Sequence, residues 1–259
     1  MIFETHAHYD DSAFADDRDE LLRSMTAGGI GKIINVGASI ESSKMALELA
    51  GKYEHVYAAI GVHPSEISDL NEETFSWLQS RIDDRKVVAV GEIGLDYYWE
   101  KDPVIQERQR QWFQRQLALA QECGLPVIIH SRDAAEDTMR ILKEQKPTGR
   151  ARGVIHCYSY SPDLAEEFVK LGYYIGVGGV VTFKNAKKLK ETVEKLPLER
   201  ILLETDCPYM APEPHRGTRN QSLYLSYVAD KIAELKGVTR EVVEHVTWDN
   251  ALTLFGRSA

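Results

Sequence analysis

A chain of 259 residues has room for one TIM-type barrel or for two small domains, so length alone does not choose between them. With 43% hydrophobic and 27% charged residues it can bury a substantial core, which excludes a disordered chain, and no apolar run reaches the roughly 18 residues that span a bilayer. A formal net charge of -9 excludes broad electrostatic coating of a nucleic acid, but not a local phosphate site where bound divalent cations dominate the field.

Met1 leads directly into a strand-like run without a basic flank or apolar leader, which predicts a cytoplasmic protein. Short runs rich in Val and Ile then alternate with amphipathic stretches, the pattern of a parallel sheet with crossover helices. Strands are expected at 2–8, 32–36, 56–61, 87–92, 126–130, 153–156, 173–177 and 200–206. Helices are expected between them at 17–27, 42–52, 71–81, 105–123, 134–145, 162–171 and 186–196, with Gly28, Gly124 and Gly172 as stop signals. Eight strand runs favour closure into an α/β fold, the (β/α)8 TIM barrel. Closing helices are expected at 222–235, 240–245 and 248–255, and no linker or repeat divides the chain, so residues 1–259 are read as a single domain. The three cysteines, Cys123, Cys157 and Cys207, have no CxxC spacing and fit free thiols in a reducing compartment. Strand alternation would turn Cys157 and Cys207 toward the helix layer.

The unusual polar residues fall at the C-terminal ends of the expected strands, the catalytic rim of barrel enzymes. His6 and His8 are two apart, so both point to one side of their strand and can share an ion. Glu92 follows an apolar run between Gly91 and Gly94, where a carboxylate can bridge two cations. His130 and His156 each end an apolar strand, and Asp206 ends another, with Glu204 on the same face two residues deeper. Burying two acids side by side without cations is costly. Glu204 is therefore read as a group that orients a ligand or water, Asp206 as ligand or proton acceptor, and His63 as a pocket-lining residue. Asp96 reads as a loop or capping residue, and His55 and His245 as surface residues. Each of these residues alone has an ordinary structural explanation; six at matching rim positions point to metal.

The motifs Glu4-Thr5-His6-Ala7-His8, Gly61-Val62-His63-Pro64, Gly91-Glu92-Ile93-Gly94-Leu95-Asp96-Tyr97, His130-Ser131-Arg132-Asp133, Ile155-His156-Cys157 and Leu203-Glu204-Thr205-Asp206-Cys207-Pro208 resemble those of the TatD family of metal-dependent deoxyribonucleases, over essentially the whole chain. The resemblance implies two divalent ions (Mg, Mn or Zn). His6, His8, Glu92 and Asp206 would hold one, and Glu92, His130 and His156 the other, with Glu92 bridging and serving with Asp206 in catalysis. The stretch around His215 and Arg216 resembles the family's substrate loop, with Thr218 in place of its usual lysine. Arg132 and Arg216 are then the candidates for gripping phosphate, with Lys184, Lys187 and Lys188 steering a strand. The implied activity is hydrolysis of DNA phosphodiesters, expected as 3′–5′ exonuclease action with abasic-site cleavage within the same chemistry. The expected partner is single-stranded DNA or a 3′ end, with no membrane and no obligate protein partner. The rival reading is a small-molecule amidohydrolase or phosphotriesterase-like hydrolase using the same binuclear site.

Overall fold

The computed structural model describes residues 1–144 and 152–256. Eight strands lie in one parallel sheet in chain order: β1 (Ile2–Ala7), β2 (Ile30–Val36), β3 (Val56–Ile60), β4 (Val87–Asp96), β5 (Val127–Arg132), β6 (Gly153–Ile155), β7 (Tyr173–Val177) and β8 (Ile201–Leu203). Between them run α1 (Arg18–Ser24), α2 (Ile40–Lys52), α3 (Glu72–Arg81), α4 (Pro103–Glu122), α5 (Ala135–Glu144), α6 (Pro162–Lys170) and α7 (Lys187–Lys195). The sheet meets itself at the rim, where Ala7 bridges Cys207 in parallel and the Asp206 N–H donates to the His6 carbonyl at 2.9 Å. The expected (β/α)8 barrel is the fold. The end of the fifth expected helix, at Gln145, lies outside the described residues.

Local chemistry sets the helix starts. Ser39 and Ser161 accept backbone N–H groups at the heads of α2 and α6, and Asn71 with Thr74 forms a capping box on α3. Asp102 caps α4 with Pro103 at the first helical position, so this helix starts two residues earlier than the periodicity suggests.

Two layers of apolar side chains hold the barrel. One joins the outward strand faces to the helices; the other fills the interior with Phe3, Ile34, Val36, Ala59, Ile128, Val154, Tyr174 and Leu202. After β8, α8 (Leu225–Lys236) ends at Gly237 in the left-handed conformation, and α9 (Arg240–Phe255) follows. Ala251, Leu254 and Phe255 of α9 pack into the interior layer and plug the barrel's lower end. The two short closing helices of the sequence reading are this one helix, because the residues between them include neither Gly nor Pro and Thr247 bonds back to the Val243 carbonyl. No helix among the described residues is long and apolar enough to cross a membrane.

At the rim, three strands stop two residues or more from where they are expected, and one of them, β5, runs on past His130 to Arg132. β4 continues past Glu92 to Asp96, because Gly94, Leu95 and Asp96 stay paired with His130, Ser131 and Arg132 of β5. β8 stops at Leu203, so Glu204 and Asp206 stand on the chain that leaves the strand.

Candidate metal centre

Interior positions on three strands lead straight up to the rim residues: Ile128 to His130, Val154 to His156, and Leu202 to Glu204, each two residues on. At the centre of the ring these side chains form lies Glu92, 4% exposed. Its Oε1 is 2.8 Å from His156 Nε2, 3.0 Å from His130 Nδ1 and 3.7 Å from His63 Nε2. Its Oε2 is 3.4 Å from His6 Nε2 and 3.8 Å from His8 Nε2. The two oxygens of one carboxylate thus face two different sets of imidazoles. Asp206 joins the second set, with Oδ1 3.3 Å from His8 Nε2 and 3.6 Å from His6 Nε2. Ligand atoms of His6, His8 and Glu92, of His6, His156 and Asp206, and of His63, Glu92 and His130 converge closely enough to share an ion.

Neighbouring groups fix the ring orientations. His8 Nδ1 lies 2.8 Å from the Val36 carbonyl, an oxygen that can only accept, so Nε2 is the nitrogen offered to the site. His130 Nε2 lies 3.1 Å from Asp96 Oδ2, which leaves Nδ1 facing Glu92. A carboxylate that holds a histidine in this way sets its tautomer and raises its basicity as a ligand. Gly94 makes this approach possible: at φ +146°, a Cβ there would stand 1.9 Å from the His130 carbonyl oxygen. On β7, Gly176 opens space for Glu204, whose carboxylate oxygen would lie 2.4 Å from an added Cβ. Glu4 ties the first and last strands beneath the ring, accepting from Thr205 N at 2.9 Å, Thr205 Oγ1 at 2.7 Å and His6 N at 3.1 Å.

Backbone strain collects at the same rim. Asp133, Cys157, Asp206 and Met210 have positive φ of 45–57° and all line the cleft above the site. Such conformations cost about 1–3 kcal/mol each in residues other than glycine. The barrel beneath over-determines these turns, and at Cys157 and Asp206 they aim the chain at the ring centre.

The electrostatics call for positive charge. Burial pushes the Glu92 carboxyl up, but His156 and His63 together with the hydrogen bonds from His130 and His156 outweigh it and hold the acid ionised, well below its usual range. Burial likewise opposes ionisation of Asp206, and its bond to His8 reverses the sign. Burial drives His6 and His63 down to about 4, so both rings are neutral donors at pH 7. It also depresses His8 and His156, yet Asp206 draws His8 up to about 9 and Glu92 draws His156 up to about 10. Protons on those rings sit where a cation would compensate the same carboxylates, and a binding metal displaces them. Three buried polar atoms around the ring, His6 Nδ1, His156 Nδ1 and Glu204 Oε2, have no hydrogen-bond partner among the described residues. A mixed imidazole and carboxylate set of this kind suits Zn, Mn, Fe or Ni. The residues fit divalent ions on either side of Glu92.

The structure brings together His6, His8, Glu92, His130, His156 and Asp206, and it adds His63, whose Nε2 reaches the Glu92 side of the ring from the end of β3. Glu204 is buried beside them, its Oε1 accepting from the Cys157 N–H and standing 3.9 Å from His156 Nδ1. Arg132 lines the cleft. Arg216 is not among the residues that line it; its guanidinium lies 4.3 Å from the centre of the Phe183 ring. Lys184, Lys187 and Lys188 are exposed, and Lys187 is near Glu191. Three expectations need correction. Asp96 caps the turn after β4 as expected, but it ends the strand and also holds His130; its position two residues past Gly94 and four past Glu92 carried that signal. Cys157 lines the cleft because its left-handed turn ends the strand alternation, whereas Cys207 is fully buried. His55 is half-buried, far from the ring in the β3 approach, while His245 is exposed as expected.

Above the ring opens a cavity of about 820 Å³, walled by acidic and aromatic side chains as well as Arg132. An eight-stranded barrel with histidines and carboxylates gathered around one buried acid at its C-terminal rim defines a metal-dependent hydrolase. The family model described as TatD related DNase matches residues 3–256. Over 255 residues the chain is 44% identical to the uncharacterized metal-dependent hydrolase YabD of Bacillus subtilis (strain 168), covering 98% of this chain and 99% of that one. It is 36% identical over 258 residues to the uncharacterized metal-dependent hydrolase YcfH of Escherichia coli (strain K12), at 98% and 96% coverage. The crystal structure of YjjV, a TatD homologue from Escherichia coli K12, superposes with a TM-score of 0.91 at 36% identity, covering 99% of this chain and 98% of that one. The chain belongs to the TatD family of metal-dependent hydrolases.

Two outcomes follow from this geometry. In Asp96→Asn the amide can still cap Tyr98 and Trp99 through its oxygen, while its NH2 faces His130 and forces the proton to Nδ1. Metal affinity in a competition titration against a chromogenic chelator should fall about 10- to 100-fold; unchanged affinity would show that Asp96 only shapes the turn. Burial raises the Glu4 carboxyl to about 8, so folding favours its protonated form and its contribution to stability is lost as pH rises from about 4.5 to 8. Metal-free Glu4→Gln should match the wild-type melting temperature at pH 5 and exceed it by several degrees at pH 8, and parallel pH profiles would contradict this account.

Proposed function

We propose that this chain is a divalent-metal-dependent deoxyribonuclease that hydrolyses DNA phosphodiester bonds, acting as a 3′–5′ exonuclease and cleaving abasic sites by the same chemistry. The observation that carries the reading is the placement of Glu92, whose two oxygens face separate histidine sets as a bridging ligand would. His6, His8, Glu92 and Asp206 would hold one ion, and Glu92, His130 and His156 the other, with His63 beside the second. Two such ions supply Lewis acidity toward a phosphate and make a nucleophilic water accessible near neutral pH.

The chain's own groups do the remainder. Asp206 is ionised and stands partly open to the cleft, so it can accept a proton from the attacking water and orient it. Arg132 extends from β5 two residues beyond His130 and offers paired N–H donors to a phosphate next to the scissile one. Acidic side chains at the mouth, Asp10 and Asp11 among them, repel a long phosphate backbone; this favours a single strand end over internal duplex. The ions are proposed as Mg, Mn or Zn, with DNA as the partner.

Metal-loaded protein is incubated with 3′- and 5′-labelled single-stranded DNA, alongside amide, lactone and phosphotriester substrates. Shortening from the 3′ end is expected, with turnover lowered about 10²- to 10⁴-fold in Asp206→Asn and DNA affinity changed little. Intact DNA together with metal-dependent turnover of a small ester or amide would overturn the substrate assignment.

A further inference from the structure

The turn that leaves β4 carries two adjacent aromatic rings out of the fold. Trp99 is 72% exposed and Tyr98 44% exposed, an unusual amount of aromatic surface to leave in water. Their rings meet edge to face with centroids 4.8 Å apart. The Arg132 guanidinium covers one side, 4.0 Å from the Tyr98 ring centre and 5.5 Å from that of Trp99. The Arg132 side chain is exposed, and its guanidinium has no hydrogen bond or ion pair among the described residues, so its donors point at no protein acceptor. Asp96 Oδ1 accepts from both the Tyr98 and Trp99 N–H groups, at 2.9 and 3.0 Å, while its Oδ2 holds His130. The Tyr97 N–H donates to the Arg132 carbonyl at 2.8 Å. The aromatic pair is therefore tied to the same two strands that deliver Glu92 and His130, with Tyr98 lining the cleft and Trp99 beside it.

We propose that Trp99, with Tyr98 and Arg132, forms a stacking platform for an unpaired nucleobase of the bound strand, adjacent to the phosphate held by Arg132. The inference rests on the nuclease reading and names how that site grips a single strand. Three features fit such an occupant. Exposed aromatic faces accept any base without a hydrogen-bonding code, an unpaired guanidinium beside them matches the phosphate of the same nucleotide, and a base in a duplex could not leave its stack to reach them. A net-acidic protein that contacts few phosphates needs base stacking to hold a strand, because the electrostatic term is small.

The test measures binding to the metal-loaded protein of a phosphorothioate-linked oligothymidylate, which resists cleavage, and of the same strand carrying abasic residues. Wild type should bind the base-bearing strand about tenfold more tightly and show quenching of indole fluorescence. Trp99→Ala should lose that preference and the quenching while binding the abasic strand as wild type does, and Trp99→Phe should restore most of the preference. Equal affinity of wild type for the two strands, or a preference that survives in Trp99→Ala, overturns the platform even if DNA is cleaved. A wild-type protein that binds neither strand overturns the nuclease reading on which the platform stands.

Discussion

The carboxylate of Glu92 is buried and lies 2.8 to 3.8 Å from a ring nitrogen on each of five histidines, His6, His8, His63, His130 and His156. One negative charge cannot satisfy five imidazoles, and five imidazoles cannot all take a second proton and become cations in so small a volume. Divalent cations held between them would resolve the conflict, taking the ring lone pairs and compensating Glu92 and Asp206 together. The rest of the rim reads as support for that arrangement. Asp96 and the Val36 carbonyl set the ring tautomers, Gly94 and Gly176 make room for close approach, and Glu4 stitches the last strand to the first.

The barrel gives this site its precision. Each strand delivers a rim residue from a register locked by the apolar layer below it, and α9 closes that layer from beneath with Ala251, Leu254 and Phe255. Small errors in strand register would move every ligand to the wrong face, because side chains alternate at every residue. The strained turns at Asp133, Cys157, Asp206 and Met210 are tolerated on such a base and concentrate where the chain bends over the cleft.

Much of this was legible from the sequence. Periodicity and strand count led to the barrel, and the spacing of His6 and His8 and the strand-end positions of Glu92, His130, His156 and Asp206 singled out the residues that converge. What escaped did so where the backbone leaves regular alternation. Cys157 follows a left-handed turn that no two-residue rule anticipates, and Asp96 sits on a stretch of strand whose glycine looks like a loop signal until its pairing partner is known. Arg216 stands over Phe183, a contact between residues 33 apart in sequence that local pattern does not encode. His63 lines the cleft as expected, and it stands closer to Glu92 than that reading implied because β3 pairs directly with β4.

The most direct measurement of the account is anomalous diffraction from crystals of the protein loaded with manganese. Two peaks are expected, one against each oxygen of Glu92, with His6, His8 and Asp206 around the first and His130 and His156 around the second. A single peak, or ions bound with both Glu92 oxygens turned away from them, would contradict the bridging role from which the rest of the account follows.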